Sequence, residues 1–579
     1  MVFCNMKQFL LLLLVAISMT ASAQLPQTRF ETSAGKETVT YQEAIQLYQQ
    51  LDKQSPIVQM KQMGLSDAGV PLHLVLISSD QSFNPELWKQ KNKVVILINN
   101  GIHPGEPDGI DACLLLTKDI INGKQKLPEN IILAIIPVYN IGGSFNRSPY
   151  NRIDQNGPTE KGSRGNSQNL DLNRDFIKSD SREARSFAAI FHFVNPDIFI
   201  DNHVSNGADY QHVMTLLTTQ HNKLGGKMGT YLNEQFEPAL YKSMQQKGYD
   251  LIPYVNNFGD KPENGWNAYW DGPRYSSGYA ASWNTFSFVP ETHMLKPYVQ
   301  RVDATYKFMQ SMIEFASTNA STIKNIRSTQ ILEQINQTQF PQGFVVDKNR
   351  FSEMLFKGYE ATYKPSGISS LPRLFYDRSK PFTKTVKFYN FFTARNMIEK
   401  PKAYILPQGW WKVAELLQIN RVQMQKLPAD TLMEVEVYRI EDYKSGARPY
   451  EGHHINTEVK TSSSIQKIQL RKGDWYIPMN QPANRFLMEV LEPAGEDSYF
   501  SWNFFDPILG QKEGYSAYVF EDIAEEYLKQ NPALQQKLEQ KRNSDSAFAK
   551  NAGAQLYYIY QNSPYFEPAH MRYPVYRVK

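Results

Sequence analysis

The chain has 579 residues, of which 41% are hydrophobic and 21% are charged, and its formal net charge is +4 at pH 7. This composition is that of a soluble globular protein, and the length predicts two or more domains. So small a charge on so long a chain gives no support for a nucleic-acid or membrane-surface partner.

The amino terminus has the pattern of a secretory signal peptide. Lys7 precedes an apolar run at 9–17, which the small residues Ala21, Ser22 and Ala23 follow. A positive residue, a short apolar run and a small-x-small site are typical of a leader that is removed on export. The run is too short to span a membrane, and no later segment is long enough. We therefore expect residues 1–23 to be removed and the protein to be periplasmic or secreted, without stable membrane insertion.

Helical and strand patterns alternate from about residue 38 to residue 316. Apolar periodicity predicts helices at 41–51, 110–121 and 181–194. Short β-branched or continuously apolar runs predict strands at 72–78, 94–98, 131–138, 197–201, 214–218 and 285–289. Apolar strands between helices favour an α/β fold with a mixed, mostly parallel sheet covered by helices on both faces.

The pattern changes after about residue 317. A helical segment at 323–335 precedes many short runs rich in Tyr, Phe, Val and Ile with Gly, Pro and Asp between them, which predict a β-rich module. Examples of these runs are 384–392, 433–440, 465–470 and 486–491, and a polar helical segment follows at 531–550. We therefore expect a signal peptide at 1–23, an α/β catalytic domain at 24–316, a linker at 317–345 and a β-rich carboxyl-terminal domain at 346–579.

Four polar strings lie at the carboxyl ends of predicted strands of the first domain or in the loops just beyond them. They are NGIHPGEPDG at 100–109, NLDLNRDF at 169–176, DIFIDNH at 197–203 and SFVPE at 287–291. In open α/β sheets, ligands bind beyond the carboxyl ends of the strands. The sequence therefore predicts that these strings meet in one site.

A histidine and a glutamate in the first string have the spacing of metal ligands. His103 and Glu106 lie three residues apart in a Pro/Gly turn that can aim both side chains at one point. Zinc takes nitrogen and oxygen donors, and a catalytic zinc site needs three protein ligands with a fourth position for water. His203 is the candidate third ligand. The His-Glu pair alone also fits an exposed turn with two solvated side chains.

Together the four strings resemble the zinc carboxypeptidase family. Its members have a His-x-x-Glu pair, a later Asn-Arg pair, a lone histidine after a strand and a glutamate after the last core strand. All four occur here in that order within residues 38–316, and the carboxyl-terminal third lies outside the resemblance. The resemblance implies a zinc-dependent peptidase that removes a carboxyl-terminal residue.

The resemblance implies a role for each matching residue around the metal. His103, Glu106 and His203 become the zinc ligands. Asp171 matches the aspartate that orients the first histidine, because a carboxylate on the other ring nitrogen sets the tautomer. A turn or helix-capping aspartate is the alternative for Asp171.

The same resemblance implies the catalytic and substrate-binding residues. Glu291 matches the general base that accepts a proton from the zinc-activated water and passes it to the leaving amine. Asn173 and Arg174 match the pair that holds the terminal carboxylate of the substrate, a role that suits the planar fork of arginine. A surface ion pair is the alternative for Arg174. For Glu291 the alternative is a strand-end glutamate paired with a neighbouring Lys or Arg.

Two assignments remain open between neighbouring residues. Arg164 is our choice for stabilising the carbonyl oxyanion, with Arg147 and Arg152 as alternatives. For the tyrosine that covers the substrate we choose Tyr275. The alternatives are Tyr269 and Tyr279, and each of the three also suits a packing role.

Other features limit the likeness. His293 follows Glu291 in a longer spacer than the family commonly has, and it either contacts substrate or fills space. The adjacent pair His453 and His454 lies in a polar loop, which we interpret as surface.

The same metal site also suits a hydrolase of peptidoglycan stem peptides or other amides. A more distant alternative is a non-catalytic protein in which the β-rich domain binds peptide or glycan. The sequence leaves the preferred residue and the oligomeric state open.

Overall fold

The structure is a computed structural model that describes residues 25–257 and 259–579. The predicted signal peptide lies outside the described residues. Among the described residues, no helix combines the length and the apolar character that a membrane crossing requires. The chain divides into two compact units, of which the first runs to Ile331 and also includes Val345–Thr393. The second unit consists of Leu332–Phe344 and Ala394–Lys579.

The strands of the first unit up to Ile331 are, in chain order, β1 (Val58–Leu65), β2 (Pro71–Ile77), β3 (Val94–Asn99), β4 (Ile131–Ile136), β5 (Ile198–Asp201), β6 (His203–Ser205), β7 (Met214–Thr218), β8 (Ile252–Pro253), β9 (Trp266–Asn267) and β10 (Phe286–His293). Within the described residues, all of them except β9 form one nine-stranded sheet. The order is β1-β2-β4-β3-β5-β10-β7-β8, and β6 pairs with β10.

The centre of this sheet is parallel. β3 pairs in parallel with β4 and β5, and β10 pairs in parallel with β5 and β6. The pairs β1–β2, β2–β4 and β7–β10 are antiparallel. Every residue of β3, β4 and β5 is buried, which explains why these strands are continuously apolar instead of alternating. The expected α/β class with a mixed, mostly parallel sheet is confirmed.

The helices up to Asn336 are α1 (Arg29–Thr32), α2 (Tyr41–Gln54), α3 (Pro85–Gln90), α4 (Asp108–Ile121), α5 (Ile141–Phe145), α6 (Arg182–Val194), α7 (His221–Leu224), α8 (Gly226–Tyr231), α9 (Glu237–Gln246), α10 (Ser276–Ser282), α11 (Tyr298–Thr318) and α12 (Ala320–Asn336). A π-helical turn, Leu232–Phe236, joins α8 and α9. Ser181 caps α6 by accepting a hydrogen bond from the backbone of Ala184, as its place before the apolar periodicity indicates.

The first unit is completed by a hairpin from beyond the predicted linker. After β11 (Gln339–Val346), the strands β12 (Ser352–Pro365) and β13 (Pro372–Tyr389) pair with each other, and β13 pairs with β9. Phe356, Val386 and Phe388 of this hairpin are buried in one cluster with Tyr210 and Trp266. The sequence pattern predicts that these residues belong to the carboxyl-terminal domain, whereas in the structure the core contacts of the hairpin lie within the first unit.

The remaining strands are β14 (Phe392–Glu399), β15 (Ala403–Leu406), β16 (Gln425–Lys426), β17 (Thr431–Ser445), β18 (Asn456–Leu470), β19 (Trp475–Pro478) and β20 (Tyr576–Val578). β14 pairs with β11, and the others form a six-stranded sheet, β16-β19-β15-β20-β17-β18, within the described residues. The β-rich character expected of this part of the chain is confirmed.

The second unit also contains helices. They are α13 (Trp411–Ile419), α14 (Asn484–Leu491), α15 (Ala517–Gln530), α16 (Pro532–Ser544), α17 (Ser546–Ala549) and α18 (Ala552–Gln561). The strand predicted at 486–491 is wrong, because this segment lies in α14. Its buried residues Phe486, Leu487, Val490 and Leu491 follow the three-to-four-residue spacing of a helix, not the alternation of a strand.

Candidate active site

A cavity of about 530 Å³ lies where the central strands of the first unit end. Eight of the predicted site residues line it: His103, Glu106, Arg164, Asn173, Arg174, His203, Tyr275 and Glu291. They come from five separate stretches of chain. His103 and Glu106 follow β3, His203 follows β5 and Glu291 lies in β10, while Arg164, Asn173 and Arg174 lie between β4 and α6 and Tyr275 precedes α10. The parallel pairing of these strands places their carboxyl ends at one edge of the sheet.

Three buried side chains offer metal-ligand atoms at one point. The Nδ1 atoms of His103 and His203 each lie 3.1 Å from an oxygen of the Glu106 carboxylate. One ligand atom from each of the three residues lies within 4.8 Å of the others. Burial raises the pKa of Glu106, but Arg152 and the two histidines outweigh burial and hold it well below its usual range. Glu106 is therefore a carboxylate, and the two-nitrogen, one-oxygen set suits zinc with a position left for water.

An aspartate lies on the far ring nitrogen of each histidine. Asp171 Oδ1 is 3.0 Å from Nε2 of His103, and Asp201 Oδ2 is 3.0 Å from Nε2 of His203. When each Nε2 carries the proton and donates it to the aspartate, each Nδ1 presents a lone pair toward Glu106. The predicted partner Asp171 occupies the place that the resemblance implies.

Glu291 presents a carboxylate beside the three candidate ligands. It lies opposite His203 in the parallel pairing of β10 and β6. Among the described residues, none donates a hydrogen bond to its carboxylate. Burial raises the pKa of Glu291 to about 7, with His203 lowering it and Glu106 raising it further. A carboxyl group with such a pKa can accept and release a proton near neutrality.

Arg164 lies within the site. Its Nη2 is 2.8 Å from Asp171 Oδ2, and its Nη1 is 3.5 Å from Nδ1 of His103. Its side chain is 44% exposed, so the guanidinium is open to the cavity. Arg147 does not line the cavity, and it donates to the backbone oxygens of Val39, Thr38 and Glu160 instead.

Arg152 also lies in the site, and its approach to Glu106 depends on the space that Gly105 leaves. Its Nη1 lies 2.7 Å from Glu106 Oε1, and its Nη2 donates to the backbone oxygen of Val204. A Cβ added at Gly105 would lie 2.6 Å from Cγ of Arg152, so the absence of a side chain at Gly105 lets Arg152 approach Glu106. Arg152 and Arg164 therefore both remain candidates for stabilising the carbonyl oxyanion.

A second group of polar side chains lies beside the metal ligands. Arg174 stacks on Tyr275, with its Cζ 4.6 Å from the ring centroid, and donates to the backbone oxygen of Asn173. Tyr269 packs edge-on against Tyr275 and also lines the cavity. Tyr279 is excluded as the covering tyrosine, because it is fully buried among phenylalanine rings of the core.

Sequence reasoning missed several residues of the site. Asp201 had a usable signal, because a residue two positions before His203 in an extended segment shares its side of the chain. Tyr254 and Asn206 also line the cavity, but neither lies in a string that marked it.

Two sequence features are placed away from the cavity lining. His293 is buried, with its Nε2 3.0 Å from the backbone oxygen of Ala208 and its ring against Tyr210. It therefore fills space in the core. His454 is exposed, and neither it nor His453 belongs to a possible metal-binding group among the described residues.

Comparison with known proteins agrees with this geometry. Residues 44–231 match the sequence model of a family described as zinc carboxypeptidase. Carboxypeptidase 2 of Trichophyton rubrum is 22% identical over 460 residues, which cover 76% of this chain and 79% of the relative. Carboxypeptidase 2 of Trichophyton equinum is 21% identical over 439 residues, which cover 73% of this chain and 76% of the relative.

Solved structures of similar proteins were also found. Carboxypeptidase A from Helicoverpa armigera is 16% identical, with a TM-score of 0.38, over 54% of this chain and 80% of that protein. A metallo-carboxypeptidase from Pseudomonas aeruginosa, in complex with (2-guanidinoethylmercapto)succinic acid, is 13% identical, with a TM-score of 0.36, over 52% of this chain and 70% of that protein.

Proposed function

We propose, from the match of residues 44–231 to the family described as zinc carboxypeptidase, that this chain is a metallocarboxypeptidase that hydrolyses the last peptide bond of its substrate. The observation that carries the proposal is the meeting of a His-Glu-His triad and a free glutamate in one cavity. The pattern of residues 1–23 supports export, so we place the reaction outside the cytoplasm.

His103, Glu106 and His203 would hold the zinc ion. Zinc, when bound there, would supply Lewis-acid activation of a water molecule and of the scissile carbonyl group. Asp171 and Asp201 keep the two imidazoles turned so that their Nδ1 atoms face the ligand position.

Glu291 carries the proton through the reaction. As a carboxylate it accepts a proton from the attacking water, whose oxygen bonds to the carbonyl carbon of the scissile amide. It then delivers that proton to the amine nitrogen as the carbon–nitrogen bond breaks. The products are a shortened peptide with a new carboxylate and a free amino acid.

Cationic groups take up the negative charges of the substrate. Arg164 faces the cavity beside His103, where the carbonyl oxygen becomes negative during attack, and a fixed cation lowers the energy of that charge. Arg174 and Asn173 would hold the terminal carboxylate through paired charge-assisted hydrogen bonds. Tyr275 packs on Arg174 and keeps its guanidinium plane in place.

Metal content and substrate choice together test the proposal. The mature protein and its His203→Ala variant are assayed for zinc, with His454→Ala as a control that changes an exposed histidine. We expect about one zinc per chain in the wild type and in the control, and none in His203→Ala. A peptide with a free carboxyl terminus should be shortened by one residue, while its carboxyl-terminal amide should not.

Two results would overturn the proposal. One is a wild-type protein that stays free of metal after dialysis against zinc. The other is equal cleavage of the acid and the amide, which would indicate a different amide hydrolase.

A further inference from the structure

One arginine outside the cavity joins the segments that build the site. Arg301 in α11 is fully buried, yet all of its guanidinium nitrogens have partners. Nε donates to Asp108 Oδ1 at 2.9 Å. Nη1 donates to the backbone oxygens of Asn156, Met294 and Lys296, and Nη2 to that of Gly157, at 3.0–3.2 Å.

The groups that Arg301 binds belong to three stretches of chain, and each stretch carries a residue of the site. Asp108 starts α4 two residues after Glu106. Met294 and Lys296 directly follow β10, which carries Glu291. Asn156 and Gly157 lie four and five residues after Arg152 in the same irregular segment.

These stretches are also joined to one another around Arg301. The backbone nitrogen of Asn156 donates to Met294 at 2.8 Å. The side-chain amide of Gln155 donates to the backbone oxygens of Gly105 and Gly157, at 2.8 and 3.1 Å. Arg301 is therefore the centre of a buried network that reaches Gly105, the neighbour of Glu106.

Within this proposed reaction, whose assignment the inference rests on, we propose that Arg301 is a positioning residue. It sets Glu106, Glu291 and Arg152 relative to one another by binding the segments that carry them. Only a planar, multiply donating cation can satisfy one carboxylate and four backbone oxygens from a single buried point. A lysine ammonium has three donors and no fork, so a substitution by lysine leaves buried oxygens without partners.

The chain offers a matched control at the opposite end of the same sheet. Arg327 in α12 is also buried and donates to Asp197, to the side chain of Asn195 and to the backbone oxygen of Asn284. These residues precede β5 and β10, away from the carboxyl ends where the site lies. Arg301→Lys and Arg327→Lys therefore both weaken a buried arginine network, but only the first lies next to site residues.

The experiment compares the two variants with the wild type in thermal unfolding, zinc dissociation constant, kcat and KM. Both variants should unfold at a lower temperature. For Arg301→Lys we expect kcat to fall about 100-fold with little change in KM, and zinc affinity to fall about tenfold. For Arg327→Lys we expect kcat and zinc affinity to stay within about twofold of the wild type, because its network does not reach the site.

The inference is wrong if folded Arg301→Lys keeps wild-type kcat and zinc affinity, or if Arg327→Lys loses both to the same extent. If Arg301→Lys does not fold, Asp108→Asn replaces it, since this variant keeps the four backbone partners of Arg301 and loses only the ion pair. It should also bind zinc more weakly, and unchanged affinity would overturn the inference. If the wild type cleaves no peptide, the proposed function fails, while the zinc comparison still decides the role of Arg301.

Discussion

Asp201 binds the side of His203 that is turned away from Glu106, with its Oδ2 atom 3.0 Å from the Nε2 atom of the ring. The other carboxylate oxygen of Asp201 accepts a hydrogen bond from Asn99, at the end of the neighbouring strand β3. The ends of β3 and β5 are thus joined through the aspartate that orients a candidate ligand. The orientation of His203 therefore depends on the pairing of these two strands.

Substitution of Asp201 should weaken metal binding although all three candidate metal ligands are retained. Asp201→Asn removes the charge that favours the required tautomer of His203, and we expect zinc affinity to fall about 10–100-fold. Competition with a chelator of known affinity measures the change. Asp197→Asn, at the amino end of the same strand, should leave zinc affinity unchanged, and an equal loss in both variants would show a general effect of burying an amide.

Glu291→Gln should separate metal binding from catalysis. Glutamine has the shape of glutamate but cannot accept the proton of the attacking water, so we expect kcat to fall about 10²–10⁴-fold while one zinc stays bound. Metal analysis and steady-state kinetics on the same preparation provide the test. Undiminished turnover would remove Glu291 from the mechanism.

The two arginines in the cavity should differ in kinetics. Arg164→Gln should lower kcat about 10²–10³-fold, because it removes the cation proposed to face the carbonyl oxygen. Arg152 pairs with Glu106, so Arg152→Gln should change kcat much less than that. The opposite ranking in steady-state kinetics would assign the oxyanion role to Arg152.

Arg174→Lys should reduce recognition of the terminal carboxylate. Lysine keeps the positive charge but loses the two parallel hydrogen bonds, so we expect kcat/KM for a free peptide acid to fall about 10–100-fold. Kinetics on short peptides measure the loss. A wild-type kcat/KM would show that the carboxylate is bound elsewhere.

Asp111 should make stability depend on pH. It is buried in α4 and accepts a hydrogen bond from the Tyr298 hydroxyl, and burial raises its pKa from 3.8 to about 7. Between these values the unfolded chain has lost a proton that the folded protein keeps, so the free energy of unfolding falls as pH rises from about 4 to about 7. The change is at most about 4 kcal/mol.

Denaturant unfolding of the wild type and Asp111→Asn at several pH values measures this contribution. The difference in unfolding free energy between the two proteins should shift in favour of Asp111→Asn as pH rises through this window, and should level off above it. Parallel curves would contradict the raised pKa.

The sequence predicts the candidate metal ligands and catalytic residues better than it predicts the residues that hold them in place. His103, Glu106 and His203 follow strands whose burial makes them continuously apolar, so their meeting at one edge of the sheet follows from strand order alone. Asp171 is predicted from its place in the string NLDLNRDF, which matches the pattern of the family.

Arg152, Tyr254 and Arg301 had no such marker. Each acts through contacts between distant parts of the chain, and spacing along the sequence does not encode those contacts. The choice between Arg152 and Arg164 remained open for the same reason, because it depends on how one loop passes over Gly105.

Two details of the carboxyl-terminal part differ from the prediction, because there the local pattern and the tertiary packing differ. The short apolar run at 486–491 predicts a strand, but short apolar runs fit a strand and a buried helix equally well, and the structure has α14 there. The hairpin β12–β13 looks like any β module in sequence, and only its contacts with Tyr210 and Trp266 assign it to the first unit.

That hairpin has a consequence for the order in which the protein is made. Trp266 lies under the hairpin and donates through its indole nitrogen to the backbone oxygen of Tyr254, a residue of the cavity wall. A ribosome that has finished β10 has produced every candidate catalytic residue, but it must add about a hundred more residues before Phe388 can cover Trp266. Until then this wall of the cavity lacks its support, so the nascent chain carries its catalytic groups before it carries a finished active site.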